Sequence, residues 1–272
     1  MPATHSLDST GKGVLAYFLA ALGFTWAVHF SIIVFSVPFS MDISTPGMKL
    51  YLLGLAGPLF AAVAVSAREA GADGVKHLLS KALKWRFPLR WYLAAILLLP
   101  AINLANILIF HDRVPDRFAW FSVTPVLIVG QIWVVVAEEF GWRGFALPRL
   151  QSIFGSLGAT LVLAPIWAIW HLPMFFVPGS PQYSENVPAS LAAYTFVLIC
   201  LSIMLTVLYN RSNGSVLACM LFHAFLNIAA FTIRVPSEID ISRYVIFGVA
   251  VLAITLLDRP LFGRPGVGVP RK

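Results

Sequence analysis

Long apolar segments recur along this chain of 272 residues, and they constrain its fold more than any other feature. A transmembrane helix needs about 20 predominantly apolar residues. Eight segments approach that length, and we expect helices at residues 15–37, 50–66, 91–110, 124–147, 156–176, 189–208, 214–232 and 244–257. The predicted fold class is therefore all-α, a polytopic membrane protein with about eight transmembrane helices.

The composition supports a membrane protein and argues against a nucleic-acid partner. Hydrophobic residues make up 59% of the chain and charged residues only 11%, whereas soluble domains carry about 25% charged residues. The net charge of +7 comes mostly from short loops, where basic residues set membrane topology. No polar segment is long enough to form a soluble core, so residues 1–272 are predicted to be a single transmembrane domain in the lipid bilayer.

The distribution of lysine and arginine predicts the orientation. With the N-terminus inside, most of the 19 basic residues fall in inner segments or at inner helix ends. This asymmetry favours both termini in the cytoplasm. The compact chain with few loops suggests a bacterial cytoplasmic membrane. The basic segment 68–90 has apolar residues at helical spacing, which suits an amphipathic helix on the inner membrane surface; the alternative is a basic loop.

Two adjacent glutamates, Glu138 and Glu139, interrupt the fourth predicted helix, and the residues before them, 118–137, carry no charge. A carboxylate at bilayer depth costs roughly 2.5–3.5 kcal/mol on insertion scales, so it is seldom kept there without a function. Arg143 follows Glu139 by four residues, the favourable order for an ion pair within a helix. Arg143 is therefore predicted to support Glu139, while Glu138 faces another partner.

Three further polar side chains, His171, His223 and Asn227, lie in later predicted helices. Glu138 and His171 lie at similar distances from the turn predicted near 152–155, so antiparallel helices would bring them to similar depth. His223 and Asn227 are four residues apart and share a helix face. His29 has no polar partner nearby in the sequence and is predicted to be a packing residue.

This set of side chains allows two schemes for hydrolysing an amide. A carboxylate beside an imidazole can activate water as a general base, while histidine and asparagine donors stabilise an oxyanion. Alternatively, Glu138, His171 and His223 would bind a zinc ion with an open position for water. At this point the required cofactor is either none or zinc.

The same residues resemble the CPBP intramembrane protease family, which includes type II CAAX prenyl endopeptidases and bacteriocin-processing or self-immunity proteins. Its Glu-Glu-x-x-x-Arg motif matches Glu138, Glu139 and Arg143. Its Phe-x-x-x-His motif matches at His171, although this chain has Trp167 where the family usually has phenylalanine. Its His-x-x-x-Asn/Asp motif matches His223 and Asn227.

The resemblance implies an endopeptidase whose protease core lies at about residues 124–232. In this family Glu138 and His171 would activate the water, and His223 with Asn227 would bind the oxyanion. Both metal-dependent and metal-free glutamate mechanisms are proposed for the family, so the resemblance leaves the cofactor open. Trp167 preserves the aromatic wall and is predicted to support the site by packing or by facing the substrate.

The expected substrate is a peptide or protein in the membrane, either prenylated or of the leader-peptide type. Intramembrane ionisable groups also mark ion pathways, so a proton- or ion-coupled transporter is one alternative. Clear inverted repeats, typical of many transporters, are not evident in the sequence. A non-catalytic membrane scaffold is the other alternative.

Overall fold

The computed structural model describes residues 3–110, 125–232 and 240–257. Within these ranges the regular elements are helical and no strand occurs, which confirms the predicted all-α class. The α-helices of the described ranges are α1 (Ala3–Val34), α2 (Pro46–Leu55), α3 (Gly57–Ser80), α4 (Leu89–Phe110), α5 (Pro125–Glu139), α6 (Leu147–Trp170), α7 (Val187–Arg211), α8 (Val216–Thr232) and α9 (Asp240–Leu257).

The apolar helices are those of an integral membrane protein. In the described part of the chain, the segments long and apolar enough to cross a membrane are Thr10–Val34, Pro46–Leu83, Leu89–Ile109, Val129–Phe176 and Val187–Arg211. Two shorter apolar helices follow, Val216–Thr232 and Val245–Ile254. The predicted number of eight transmembrane helices is not confirmed, because some predicted helices merge and others are short.

The longest apolar segment, Val129–Phe176, is divided by a glycine. It has 48 residues, which as one straight helix would be about 72 Å long, more than twice the hydrocarbon core of a bilayer. Gly155 interrupts it with φ 70° and ψ 177°, a conformation that glycine adopts readily. The interruption lies where the sequence predicts a turn, and the later part of α6 reaches the end of α5, where Trp167 bonds Glu138.

A π-helical segment, Phe140–Ala146, joins α5 to α6 and is closely packed. A Cβ added at Gly141 would lie 2.5 Å from the Tyr17 hydroxyl and 2.6 Å from the Pro58 carbonyl oxygen, so only glycine fits. Helix α6 also packs on α7, where the hydroxyls of Thr160 and Thr206 are 2.7 Å apart. These contacts place the π segment between α1, α3 and α6, in the buried core.

The basic segment 68–90 is helical as far as residue 83, and its place on the inner membrane surface stays a prediction. Helix α3 runs through its first part with a break at Ala70 and Gly71, and a 3₁₀-helix, Lys81–Leu83, follows. Lys81 is buried, and its Nζ donates a hydrogen bond of 2.6 Å to the carbonyl oxygen of Gly144. The segment therefore contacts the π segment directly.

Candidate active site

The two adjacent glutamates end α5 and immediately precede the π segment. The sequence predicts one α-helix through residue 147, but the backbone changes to π-helix from Phe140 to Ala146. All seven π-helical residues are buried. Short π segments within α-helices are rare and frequently occur at functional sites. The local irregularity therefore coincides with the residues that the sequence marks as functional.

Glu139 is held by two cationic or polar partners. Its Oε1 accepts hydrogen bonds from Nη1 of Arg143 at 3.0 Å and from Nδ1 of His223 at 2.8 Å. The predicted Glu139–Arg143 pair is therefore confirmed. The histidine comes from α8, so Glu139 joins that helix to the π segment. The sequence does not predict this contact: it gives His223 either as an oxyanion donor with Asn227 or as a zinc ligand with Glu138 and His171.

Glu138 has a different environment from its neighbour. Its Oε2 accepts a hydrogen bond of 2.8 Å from Nε1 of Trp167, on α6. No further hydrogen bond joins Glu138 to the residues that the structure describes. Glu138 is 3% exposed, whereas Glu139 is 0% exposed and lies between two partners. The two carboxylates thus have different partners, as the spacing predicts. Each has one oxygen without a hydrogen bond to the described residues, but Oε2 of Glu139 is sealed in the core, whereas Glu138 keeps slight exposure.

Trp167 touches several parts of this polar cluster. The guanidinium of Arg143 lies 4.2 Å from the centroid of its ring, and the ring of His223 meets it edge-on at 5.7 Å. Its carbonyl oxygen accepts a hydrogen bond of 2.9 Å from Nδ1 of His171. The sequence predicts that Trp167 supports the site by packing or by facing the substrate, and it gives no signal of the hydrogen bond to Glu138.

His171 ends α6 and lies among aromatic side chains. Its ring packs edge-on against Trp170 at 4.6 Å and against Tyr194 at 5.2 Å. Because a carbonyl oxygen can only accept, the bond to Trp167 places the proton on Nδ1 of His171. Nε2 of a neutral His171 is then an acceptor.

Asn227 lies one turn beyond His223 on α8 and has a partner that the sequence does not reveal. Its Nδ2 donates a hydrogen bond of 2.7 Å to Oε1 of Gln131, a buried residue of α5. Gln131 is a polar amide within a charge-free segment, and this signal in the sequence could have identified it as a site residue. A second unpredicted residue is Ser202, whose hydroxyl accepts a hydrogen bond of 3.4 Å from Nη2 of Arg143.

His29 has a separate set of partners. Its Nε2 donates a hydrogen bond of 3.0 Å to the carbonyl oxygen of Tyr51, and the two rings stack at 5.5 Å. It also packs closely against Gly54. These contacts agree with the predicted packing role of His29.

A zinc site would require three ligand side chains close together. In the described ranges, no three histidine, cysteine, aspartate or glutamate side chains are grouped so that they could hold one metal ion. As arranged, Glu138, His171 and His223 therefore do not form a zinc-binding group.

Comparisons with known proteins agree with the motifs. Residues 120–229 match the family model of the Rce1-like type II CAAX prenyl endopeptidases. The chain is also 25% identical, over 258 residues, to CAAX prenyl protease 2 of Methanococcus maripaludis; the alignment covers 90% of this chain and 94% of the relative. The matched segment contains all three motifs, so the resemblance inferred from the sequence is confirmed.

Proposed function

Because the segment with the three motifs matches the Rce1-like type II CAAX prenyl endopeptidases, we propose that this chain is an intramembrane endopeptidase. In this proposal Glu138 activates a water molecule, which attacks and hydrolyses a peptide bond of the substrate. The observation that carries the proposal is the difference between the adjacent carboxylates. Glu139 bonds Arg143 and His223 through Oε1, and its Oε2 is fully buried, whereas Glu138 has one hydrogen bond, to Trp167, and keeps slight exposure.

Glu138 is the general base of the proposed reaction. Its free carboxylate oxygen takes a proton from water as the water oxygen attacks the carbonyl carbon of the substrate. The tetrahedral intermediate then collapses, the C–N bond breaks, and the proton passes from Glu138 to the leaving amine. His171 lies on the same helix as Trp167, the partner of Glu138, and its Nε2 provides an acceptor for the second proton of the water.

His223 and Asn227 supply the donors for the oxyanion. Nδ1 of His223 is held by the Glu139 carboxylate, and in this proposal Nε2 carries the second ring proton and is the donor. Asn227 uses one N–H on Gln131 and keeps a second for the substrate. Fixed donors in a buried site stabilise the charge that develops in the transition state. Glu139 and Arg143 contribute by holding His223 in place.

The proposed substrate is a membrane-associated peptide, either prenylated or of the leader type. The relative from Methanococcus maripaludis is named CAAX prenyl protease 2, and the similarity extends along most of both chains. We place the catalytic residues in a core of about 124–232 within a single membrane domain. The predicted cellular site is a bacterial cytoplasmic membrane with both termini in the cytoplasm.

The experiment is cleavage of a peptide panel by the purified full chain in detergent, with prenylated and leader-type peptides. We expect cleavage by the wild type that a strong chelator does not abolish. Glu138→Gln should lower the rate by at least about 10²–10⁴-fold, the range that a general base contributes. An active Glu138→Gln variant would contradict the assignment.

Three other results would overturn particular parts of the proposal. Activity lost with chelator and restored by zinc would overturn the metal-free water activation. Proton-coupled flux in liposomes without cleavage would favour a transporter, and neither activity across the panel would favour a scaffold.

A further inference from the structure

The residue at the aromatic position of the second motif differs from the usual phenylalanine, and it has an unusual set of contacts. Trp167 donates from Nε1 to Glu138, lies beneath the guanidinium of Arg143, and meets the ring of His223. Its carbonyl oxygen binds His171. A phenylalanine in the same place could make the ring contacts and the carbonyl bond but not the bond to Glu138.

We propose that Trp167 is a positioning residue, whose indole N–H holds one oxygen of Glu138 so that the other faces the attacking water. This inference rests on the proposed function of Glu138. A terminal carboxylate torsion has broad rotational preferences, so a carboxylate with a single partner takes its orientation from that partner. The indole Nε1–H is a donor only, which fixes the direction of the bond.

The indole itself is held rigidly enough to act in this way. Trp167 is 2% exposed, the Arg143 guanidinium lies 4.2 Å from its ring centroid, and the His223 ring lies 5.7 Å away at 75°. An indole packed in this way presents its N–H to the carboxylate oxygen 2.8 Å away. A hydrogen bond to an ionised acceptor in a buried site is stronger than one between neutral groups.

The same residue also fixes His171. The bond from Nδ1 of His171 to the Trp167 carbonyl oxygen sets the orientation and the tautomer of that imidazole. Since this bond uses the backbone, it survives replacement of the indole by a phenyl ring. Trp167→Phe therefore removes the hold on Glu138 while leaving the bond to His171, and it isolates the proposed contribution.

Trp170 provides a matched control. It lies three residues later on α6, is 1% exposed, and its Nε1 donates a hydrogen bond of 2.7 Å to Oγ1 of Thr25. Trp170→Phe removes an equally buried indole donor whose acceptor is outside the catalytic set, and the phenyl ring keeps an aromatic contact with His171. Trp167→Phe should lose at least as much thermal stability as Trp170→Phe, because it leaves a carboxylate and not a neutral hydroxyl without its donor.

The test compares kcat and KM for the wild type, Trp167→Phe and Trp170→Phe on a peptide that the wild type cleaves. We expect kcat of Trp167→Phe to fall by about ten- to a hundredfold with KM changed less than about threefold, since the bond orients the base and does not bind substrate. Trp170→Phe should keep kcat within about threefold of the wild type. Equal kcat values for both variants would overturn the inference.

An NMR measurement tests the same bond without a substrate. The chain has eight tryptophans, which can be labelled with ¹⁵N and assigned by substitution. In Glu138→Gln, the indole N–H resonance of Trp167 should move upfield because its acceptor loses its charge, and that of Trp170 should stay. An unmoved Trp167 resonance would show that the bond does not form.

The outcomes separate this inference from the proposed function. If Glu138→Gln is inactive and Trp167→Phe has wild-type kcat, Glu138 remains the base and the positioning role of Trp167 is wrong. If Glu138→Gln cleaves normally, the proposed function itself fails. An upfield shift of the Trp167 resonance together with a selective loss of kcat supports both.

Discussion

Two Arg–Glu ion pairs lie close together in this chain, one at each end of the connection between α5 and α6. Arg143 binds Glu139 at 3.0 Å, and Arg149 binds Glu69 at 2.8 Å. The first pair is buried, with side-chain exposures of 1% and 0%, and the second is partly exposed, with 27% and 36%. Similar distances therefore occur in very different surroundings, and the surroundings decide what each pair contributes.

The buried pair has a role that an exposed pair does not fulfil. Removing two charges from water is costly, and the cost is recovered only when further hydrogen bonds satisfy both groups. His223 supplies such a bond to Oε1 of Glu139 and Ser202 accepts one from Arg143, while Oε2 of Glu139 has no hydrogen-bond partner among the described residues. The pair thus fixes the helix that carries His223, which the proposed mechanism needs.

The exposed pair has redundant support. Arg149 also donates from Nη1 to the Phe145 carbonyl oxygen at 3.3 Å, and its guanidinium lies 3.6 Å from the Phe145 ring centroid. Solvent screens the charges of partly exposed groups, and such pairs are worth little. We therefore expect Arg149 to remain in place when its carboxylate partner is removed.

The largest effect on stability is expected at Arg143. Arg143→Met leaves Glu139 buried without its guanidinium partner, which should cost about 3–5 kcal/mol of unfolding free energy. The measurement is unfolding in detergent with the wild type alongside. The double variant Arg143→Met/Glu139→Gln should recover part of that loss, because no unpaired carboxylate remains. A loss below about 1 kcal/mol in the single variant would remove the distinction between the two pairs.

An intermediate effect is expected at Lys81, which is buried beside the exposed pair and binds the π segment. Lys81→Met removes the 2.6 Å hydrogen bond to the Gly144 carbonyl oxygen and should cost about 1–3 kcal/mol. Lys84→Met is the control, since exposed Lys84 donates at 3.1 Å to the carbonyl oxygen of Asn213. If both variants unfold at the same midpoint, burial of Lys81 does not strengthen its bond.

The smallest effect is expected at Glu69. Glu69→Gln should lower the unfolding free energy by less than about 1 kcal/mol, and the difference should shrink as salt is added, because ions screen exposed charges. Unfolding midpoints at low and high ionic strength measure this. A salt-independent loss as large as that of Arg143→Met would mean that the pair behaves as a buried one.

Much of the fold could be predicted from apolar length alone. Backbone polar groups must be satisfied within a bilayer, so an apolar segment near 20 residues has few alternatives to a helix. The turn near Gly155 was also predictable, because residues 152–155 separate two apolar segments. The π segment was not, because its geometry depends on close tertiary packing of Gly141 against Pro58.

The candidate site shows the same division. Spacing within one helix predicted the Glu139–Arg143 pair, since residues four apart are neighbours on a helix surface. Contacts between helices, such as His223 with Glu139 and Trp167 with Glu138, depend on how the helices pack and rotate. Lys81 belongs to the basic segment predicted to lie at the membrane surface. The structure buries it, because the Gly144 carbonyl oxygen accepts its hydrogen bond.

The most direct test of the account is to compare Glu138→Gln and Glu139→Gln in one experiment that records both peptide cleavage and thermal unfolding. We predict that Glu138→Gln keeps an unfolding midpoint close to the wild type and loses cleavage. Glu139→Gln should lower the midpoint, because Arg143 and His223 lose their shared carboxylate. Cleavage retained by Glu138→Gln, or equal midpoints for the two variants, would contradict the division of roles between the two glutamates.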